Sequence, residues 1–566
     1  MRWKHKPIPD EKIVKHLQDS LQIPTTIAAL LVQRGIHTFD EAKLFFRPKW
    51  EDLHDPFLMK DMDKAVDRIE KALCNKERIL VFGDYDVDGT TAVALVSSFL
   101  KTISEDVDYY IPDRYTEGYG ISFKGIDYAF DNEITLIIAL DCGIKSVDKI
   151  AYANEKGIDF IICDHHRPGD ILPNAVAILD PKRSDCTYPY DELCGCGIGF
   201  KLIQALVQKR GWQQELLMPY LDLVATAIGA DIVPINGENR ILAYFGLQVL
   251  NANPRPGFKA LIQKSNKKVF TISDVVFIIA PRINAAGRIK HGNYAVQLLT
   301  EFSEEQAVEF AAEIEIFNTD RKEFDQNITI EAINQVIENQ EEDNFTTVVY
   351  NEKWHKGVIG IVASRLTETY YRPTLVFTKS GDFLAASARS VKDFDVYNAL
   401  EACSEYLEQF GGHKYAAGMT LKPENYLNFK AKFEEVVRQT ILPEMREPEI
   451  VVDLEINFSD IEPKFLRILK QFEPFGPENM HPVFETKNVF DTGFKKTLGA
   501  KNEHLRLFLK EENSDVRFGA IGFNLGTRIN QIHTAAPLSI AYTIDENEWN
   551  GNVTVQLSLK DVKPNS

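Results

Sequence analysis

Four short apolar runs in the first third of the chain, Ile79 to Phe82, Thr135 to Leu140, Phe160 to Cys163 and Val176 to Leu179, each meet an aspartate within two residues of their end. The acidic ends read Asp84-Tyr85-Asp86-Val87-Asp88, Asp141, Asp164-His165-His166 and Asp180. Apolar runs of this length, spaced by helix-length amphipathic stretches, predict a parallel α/β sheet. Ligands of such a sheet bind beyond the carboxyl ends of the strands, where the strand order reverses. The pattern therefore predicts one acidic edge supplied by four separate segments.

The segment Gly83-Asp84-Tyr85-Asp86-Val87-Asp88-Gly89 packs three alternating carboxylates into one turn, and their mutual repulsion calls for cations among them. A calcium loop of the EF-hand type would need Glu at its twelfth position, where this chain has Leu95, and it would follow a helix rather than an apolar strand. Asp164-His165-His166 at a neighbouring strand end adds imidazoles to the set. Carboxylate ligation with one or two imidazoles suits Mn2+ or Mg2+ better than zinc. Two such ions about 4 Å apart fit hydrolysis of a phosphodiester. Cys194 and Cys196, with His165 and His166, could be drawn as a zinc site, but the residues around them read as ordinary packing beside a glycine-rich turn.

At 566 residues the chain calls for three or four units of about 150 residues each. Residues 301–342 carry helical periodicity without proline and predict a long connecting helix. A second α/β pattern starts at Thr346 to Tyr350, continues through Pro373 to Phe377 and reaches Gly411-Gly412-His413-Lys414-Tyr415-Ala416-Ala417-Gly418. Beyond Pro448 come short alternating strands, Glu449 to Ile456, Val483 to Phe490, Leu505 to Leu509 and Val553 to Leu559, which predict a small barrel or sandwich. A formal charge of −19 argues against a uniformly basic nucleic-acid surface, yet Arg282, Arg288, Lys290 and His291, and again Lys353, His355, Lys356 and Arg365, form local basic clusters. The opening Met1 to Pro7 is followed by no apolar segment of signal-peptide type. Seven cysteines without a CxxC pair point to reduced thiols and a cytoplasmic location, and no apolar run is long enough to span a bilayer.

Taken in order, these motifs resemble the RecJ branch of the DHH phosphoesterase family. Asp164-His165-His166 is similar to the motif that gives the family its name, Asp84 to Gly89 to the first motif of the RecJ branch, and Gly411 to Gly418 to the signature of the accompanying DHHA1 domain. Pro281-Arg282-Ile283-Asn284-Ala285-Ala286-Gly287-Arg288 and Ala230-Asp231-Ile232-Val233-Pro234 fit as well. Many members of the wider superfamily carry a histidine where this chain has Phe82, and Asp84 stands in its stead.

The fold the resemblance implies is α/β, with a parallel-sheet DHH domain joined by a long helix to a smaller α/β DHHA1 domain and a C-terminal OB-like barrel. The boundaries expected are a helical N-terminal segment at 1–50, the DHH domain at 51–300, the connecting helix at 301–342, the DHHA1 domain at 343–445 and the nucleic-acid-binding barrel at 446–566. The activity implied is a 5′→3′ exonuclease for single-stranded DNA that uses two divalent ions, Mn2+ or Mg2+. Asp84, Asp86, Asp88, Asp141, His165 and Asp231 would hold the ions, while His166, Arg282, Asn284 and Arg288 would face the scissile phosphate. Arg114 and Tyr119 would take the 5′ end, and Arg365, Ser387, Arg389, Gly412 and His413 the DNA path. A single-strand-binding protein and a RecQ-type helicase are the implied partners, and a monomer the implied state. Rival readings are a phosphodiesterase of short oligoribonucleotides or dinucleotides and a non-catalytic replication scaffold.

Overall fold

The apolar runs become the strands β1 (Arg78–Gly83), β2 (Val107–Tyr110), β3 (Ile134–Leu140), β4 (Asp159–Cys163) and β5 (Ala177–Leu179). They form one parallel sheet in the order β2-β1-β3-β4-β5. The order reverses between β1 and β3, so Asp84 and Asp141 leave the sheet on either side of the crevice where such folds bind ligands. Strand β2 carries no sequence signal, because Val107-Asp108-Tyr109-Tyr110 is a short edge strand with only Val107 fully buried. In the computed structural model every residue is described except 266, 513, 535, 550, 551 and 566.

Helix α1 (Val87–Lys101) starts directly beyond β1 and is buried from Val87 through Leu100. It can be buried all round because α2 (Gly195–Lys209) and α3 (Leu221–Ala230) cover the face turned away from the sheet. Helix α4 (Ala280–Ile289) carries the Pro281 to Arg288 motif and packs on α5 (Glu304–Glu338). The 35 residues of α5 span about 50 Å. Its buried stripe runs through Ala307, Ala311, Ile314, Phe317, Ile328, Ala332 and Val336, and Ser303 caps its start by accepting the N–H of Gln306. The helix expected over 301–342 is thus slightly shorter at both ends.

The second sheet follows, with β6 (Thr347–Tyr350), β7 (Thr374–Ser380), β8 (Phe383–Arg389), β9 (Gln409–His413) and β10 (Ala416–Leu421) in the order β9-β10-β8-β7-β6. Only β6 and β7 pair in parallel. Helix α6 (Ile359–Tyr370) lies on β7 and β8. The glycine-rich segment Gly411 to His413 is part of β9, an edge strand rather than a turn.

The chain divides into two units: Asp52–Glu447, described so far, and a second made from both ends, Met1–Glu51 with Pro448–Ser566. In the second unit the strands 484–491, 538–549, 552–564, 517–522 and 504–511 pair in succession, and Val489 to Asp491 pair back onto Leu509 to Glu511. That last pairing closes a barrel of the OB type. The N-terminal segment, expected to be helical throughout, begins with a strand at Arg2–His5 that pairs in parallel with Glu449–Val452. Its helices place Leu17, Ile27, Leu30 and Leu31 in one apolar core with Phe458, Phe472, Leu505 and Tyr542. No helix among the described residues is long and apolar enough to cross a membrane.

Candidate metal centre

Each strand end makes a different turn, and the turns decide where the carboxylates point. Asp86 caps α1 by accepting the N–H of Gly89 at 3.1 Å, which sets Asp88 in the first helical turn. Both oxygens of Asp88 accept backbone N–H groups at the start of α2, from Gly195 at 2.6 Å and Cys196 at 2.7 Å. The partly positive helix N-terminus thereby holds a fully buried carboxylate. Asp141 takes a left-handed turn at φ 60°, tolerable for aspartate, straight after β3. Gly195 lies against it so closely that a Cβ there would come within 2.5 Å of the Asp141 Cβ. One oxygen of Asp84 accepts the N–H of Gly120 at 3.1 Å.

The side chains converge on His165. Its Nε2 stands 3.2 Å from Asp141 Oδ1, 3.6 Å from Asp231 Oδ2 and 3.9 Å from Asp88 Oδ2. Two overlapping groups have ligand atoms near enough to share an ion, Asp88 with His165 and Asp231, and Asp141 with His165 and His166. Burial, then the charge of Asp86, pushes Asp84 and Asp88 well above the ordinary carboxylate range. Burial, then Asp88, does the same to Asp141 and Asp231. His165 is pushed down to about 3 by burial and by its neighbour His166. Asp84 Oδ2 and Asp141 Oδ1 are buried with no hydrogen-bond partner. Orphaned acceptors amid repelling carboxylates and a neutral imidazole are the donor set a divalent cation satisfies, so the residues fit Mn2+ or Mg2+.

Asp164 works differently from the other aspartates of the edge. Its Oδ1 accepts the N–H groups of His165 and His166 and the His166 Nδ1 at 2.7 Å, and its Oδ2 accepts the N–H of Ile144. It orients the histidine pair. Burial, the largest single influence, lowers the pKa of His166, but Asp164 together with Asp231 and Asp88 outweighs it and the net shift is upward. The other ring nitrogen of His166 lies 3.2 Å from the Tyr119 hydroxyl. Asp180, expected at the acidic edge but not among the ion ligands, is fully buried with one unpartnered oxygen, and burial pushes it up to about 7. Cys194 Sγ caps α2 by accepting the N–H of Gly197, so the thiols pack and cap here.

Beside the acidic centre lies a run of arginines. Arg288 is pushed down to about 10 by burial and then by Arg114, Arg389 and Arg321, which stand close enough to repel it. Its Nη1 donates to Gly357 O at 3.0 Å, while the Tyr115 hydroxyl donates to the carbonyl of Arg288. Arg114 covers the Tyr85 ring at 4.7 Å, and Arg389 donates to Ser387 Oγ at 3.1 Å. Gly360, near the start of α6, abuts this pair, since a Cβ there would be 3.0 Å from Ser387 Oγ and 3.1 Å from an Arg389 nitrogen. Two expected phosphate ligands are otherwise engaged: Arg282 pairs with Glu315 at 2.7 Å, and Arg365 with Asp325 at 2.6 Å. Asn284 is half-buried on α4 between the two arginines of its motif. His413 is exposed at the open edge of β9, and Gly412 in that strand has φ 146°. Arg321 was not foreseen, because on a long charged helix it reads as one more solvated residue.

Family models match three stretches of the chain: the DHH family N-terminal domain at residues 78–228, the DHHA1 domain at 342–439 and the RecJ OB domain at 452–561. The chain is 38% identical over 565 residues to the single-stranded-DNA-specific exonuclease RecJ of Bacillus subtilis, covering 99% of this chain and 70% of that protein. Its likeness to the protein of that name in Salmonella typhimurium is 32% identity, covering 96% of each. Among solved structures, RecJ of Thermus thermophilus in complex with Mn2+ superposes with a TM-score of 0.86 at 25% identity, over 100% of this chain and 80% of that one.

Proposed function

The chain belongs to the RecJ family of single-stranded-DNA-specific exonucleases, and from that premise we propose that it hydrolyses single-stranded DNA from the 5′ end, releases 5′-mononucleotides and serves DNA recombination and repair. The observation that carries the reading is the convergence of Asp88, Asp141 and Asp231 on His165 Nε2, at 3.2 to 3.9 Å, with the arginine run beside it. Asp84, Asp86, Asp88, Asp141, His165 and Asp231 would hold two divalent ions, whose chemistry when bound is to acidify a water and neutralise phosphate charge.

The protein's own groups do the rest. Asp164 accepts from His166 Nδ1 and fixes the ring, so that the other ring nitrogen, when protonated, would turn an N–H toward a phosphate close to the carboxylates. Arg288, with Asn284 on the same helix, lends positive charge and amide donors to the scissile phosphate as negative charge develops, and Arg282 would join them only on leaving its pair with Glu315. Arg114 and Tyr119 receive the 5′ end, and Ser387 and Arg389, with Gly412 and His413, carry the strand beyond it, while Arg365 would join them only on leaving its pair with Asp325. Phosphate contacts of this kind read no base, so digestion is independent of sequence. From the resemblance we carry forward a monomer that works in the cytoplasm with a single-strand-binding protein and a RecQ-type helicase.

The test is digestion of long strands labelled at one end or the other, with Mn2+ and Mg2+ compared and dinucleotides run alongside. Early release of the 5′ label from long strands is expected. First loss of the 3′ label would overturn the polarity, and a preference for dinucleotides the substrate.

A further inference from the structure

Ile232 combines a backbone that isoleucine avoids with a side chain that the core does not use. Helix α3 ends at Ala230, Asp231 caps it, and Ile232 takes the next position at φ 60°. That position is commonly glycine, since a left-handed residue crowds its own Cβ against the following carbonyl, and β-branching makes the crowding worse. The turn is held from both sides. The Asp231 N–H donates to Ala227 O at 2.9 Å, Val233 is buried, and the Pro234 carbonyl accepts from Asn239 Nδ2 at 3.1 Å. Yet Ile232 is 64% exposed. Glycine would make the same turn without strain, so the turn does not explain the isoleucine. Strain of this kind persists where the residue is used.

Its place indicates the use. The preceding residue, Asp231, directs a carboxylate oxygen to within 3.6 Å of His165 Nε2. Tyr119, 51% exposed, lies edge-on to the adjoining His166 with ring centroids 5.9 Å apart. The arginines and carboxylates of the centre serve phosphate and cations, and none of them offers an aliphatic surface to a sugar or a base. Resting on the exonuclease reading above, we propose that Ile232 is an apolar contact for the deoxyribose and base of the nucleotide whose phosphate occupies the centre. Every nucleotide presents such faces, so the contact is a specificity element for nucleic acid over smaller phosphoesters and is indifferent to sequence.

The test uses the full chain as wild type, Ile232→Gly and Ile232→Asn, two replacements that tolerate the left-handed backbone. Anisotropy of a 3′-labelled, 5′-phosphorylated single strand, read in Ca2+ to hold back turnover, is expected to give binding about tenfold weaker for both variants. The deficit is expected to shrink to about twofold or less on a strand whose 5′-terminal nucleotides lack bases. The melting temperature of Ile232→Asn is expected at or above that of wild type, because the strain is relieved. Wild-type affinity in both variants, an equal deficit on the abasic strand, or a lower melting temperature for Ile232→Asn would each overturn the proposal. Failure of the wild type to digest DNA with Mn2+ would sink the exonuclease reading alone, since the binding contrast is read without hydrolysis.

Discussion

At the scale of residues, the acidic centre trades stability for binding capacity. Asp141 is buried, repelled by Asp88 and Asp86 and left with one unpartnered oxygen. Asp141→Asn is therefore expected to lower hydrolysis of a labelled single strand by about 10³-fold or more, while the metal-free variant melts no lower than wild type. Turnover within tenfold of wild type would reject the site, and a collapsed melting temperature would make Asp141 a structural residue. The same repulsion sets a pH dependence. A carboxylate whose folded pKa lies above its unfolded value binds more protons when folded, so stability falls as pH rises between the two values. Asp88, pushed up to about 7, and Asp231, pushed up to about 8, act this way above the unfolded value of about 4. His165, pushed down to about 3, gives the opposite slope below its unfolded value of about 6.5. The window free of that opposition is about pH 6.5 to 8. Calorimetry with EDTA should show melting fall across this window, and added Mn2+ should restore more at its upper end. A flat profile would mean that the carboxylates do not share one site.

At the scale of elements, the centre depends on how α2 meets the ends of β1 and β3. Gly195 is the point of closest approach, donating its N–H to Asp88 while leaving no room for a Cβ beside Asp141. Gly195→Ala is expected to cost about 1–3 kcal/mol of stability and to weaken Mn2+ binding, measured by denaturant titration and by calorimetric titration with the metal. Unchanged affinity for Mn2+ would show that α2 does not hold the ligands in place. The strands that carry the ligands are legible because β1, β3, β4 and β5 are apolar runs each followed by an aspartate beyond its carboxyl end. The edge strand β2 is not, since a strand with one buried residue needs no apolar pattern. Helix α5 is legible from its period, but its charged face conceals that Arg321 joins the arginine run and that Glu315 and Asp325 engage Arg282 and Arg365.

At the scale of the whole molecule, the two ends of the chain make one unit. Residues 1–51 share an apolar core with residues 448–566. Deleting 448–566 alone should therefore strand the apolar faces around Ile27 and Leu30 and yield an aggregating protein, whereas removing both segments should leave 52–447 folded. Light scattering and thermal melting distinguish the two, and a soluble, monodisperse single deletion would show that the N-terminal segment stands without its partner. What the sequence alone determined is local: which runs are strands, which helix is long, and which acids and histidines terminate strands, because period and ligand chemistry are properties of neighbouring residues. Only the tertiary structure decided that Asp231 and Asp88 meet at His165, that the barrel closes through 489–491 and 509–511, that the first strand pairs with 449–452, and that Ile232 takes a strained turn. Those outcomes depend on contacts between residues far apart in the chain, and no short window of sequence records which distant partner fills a given space.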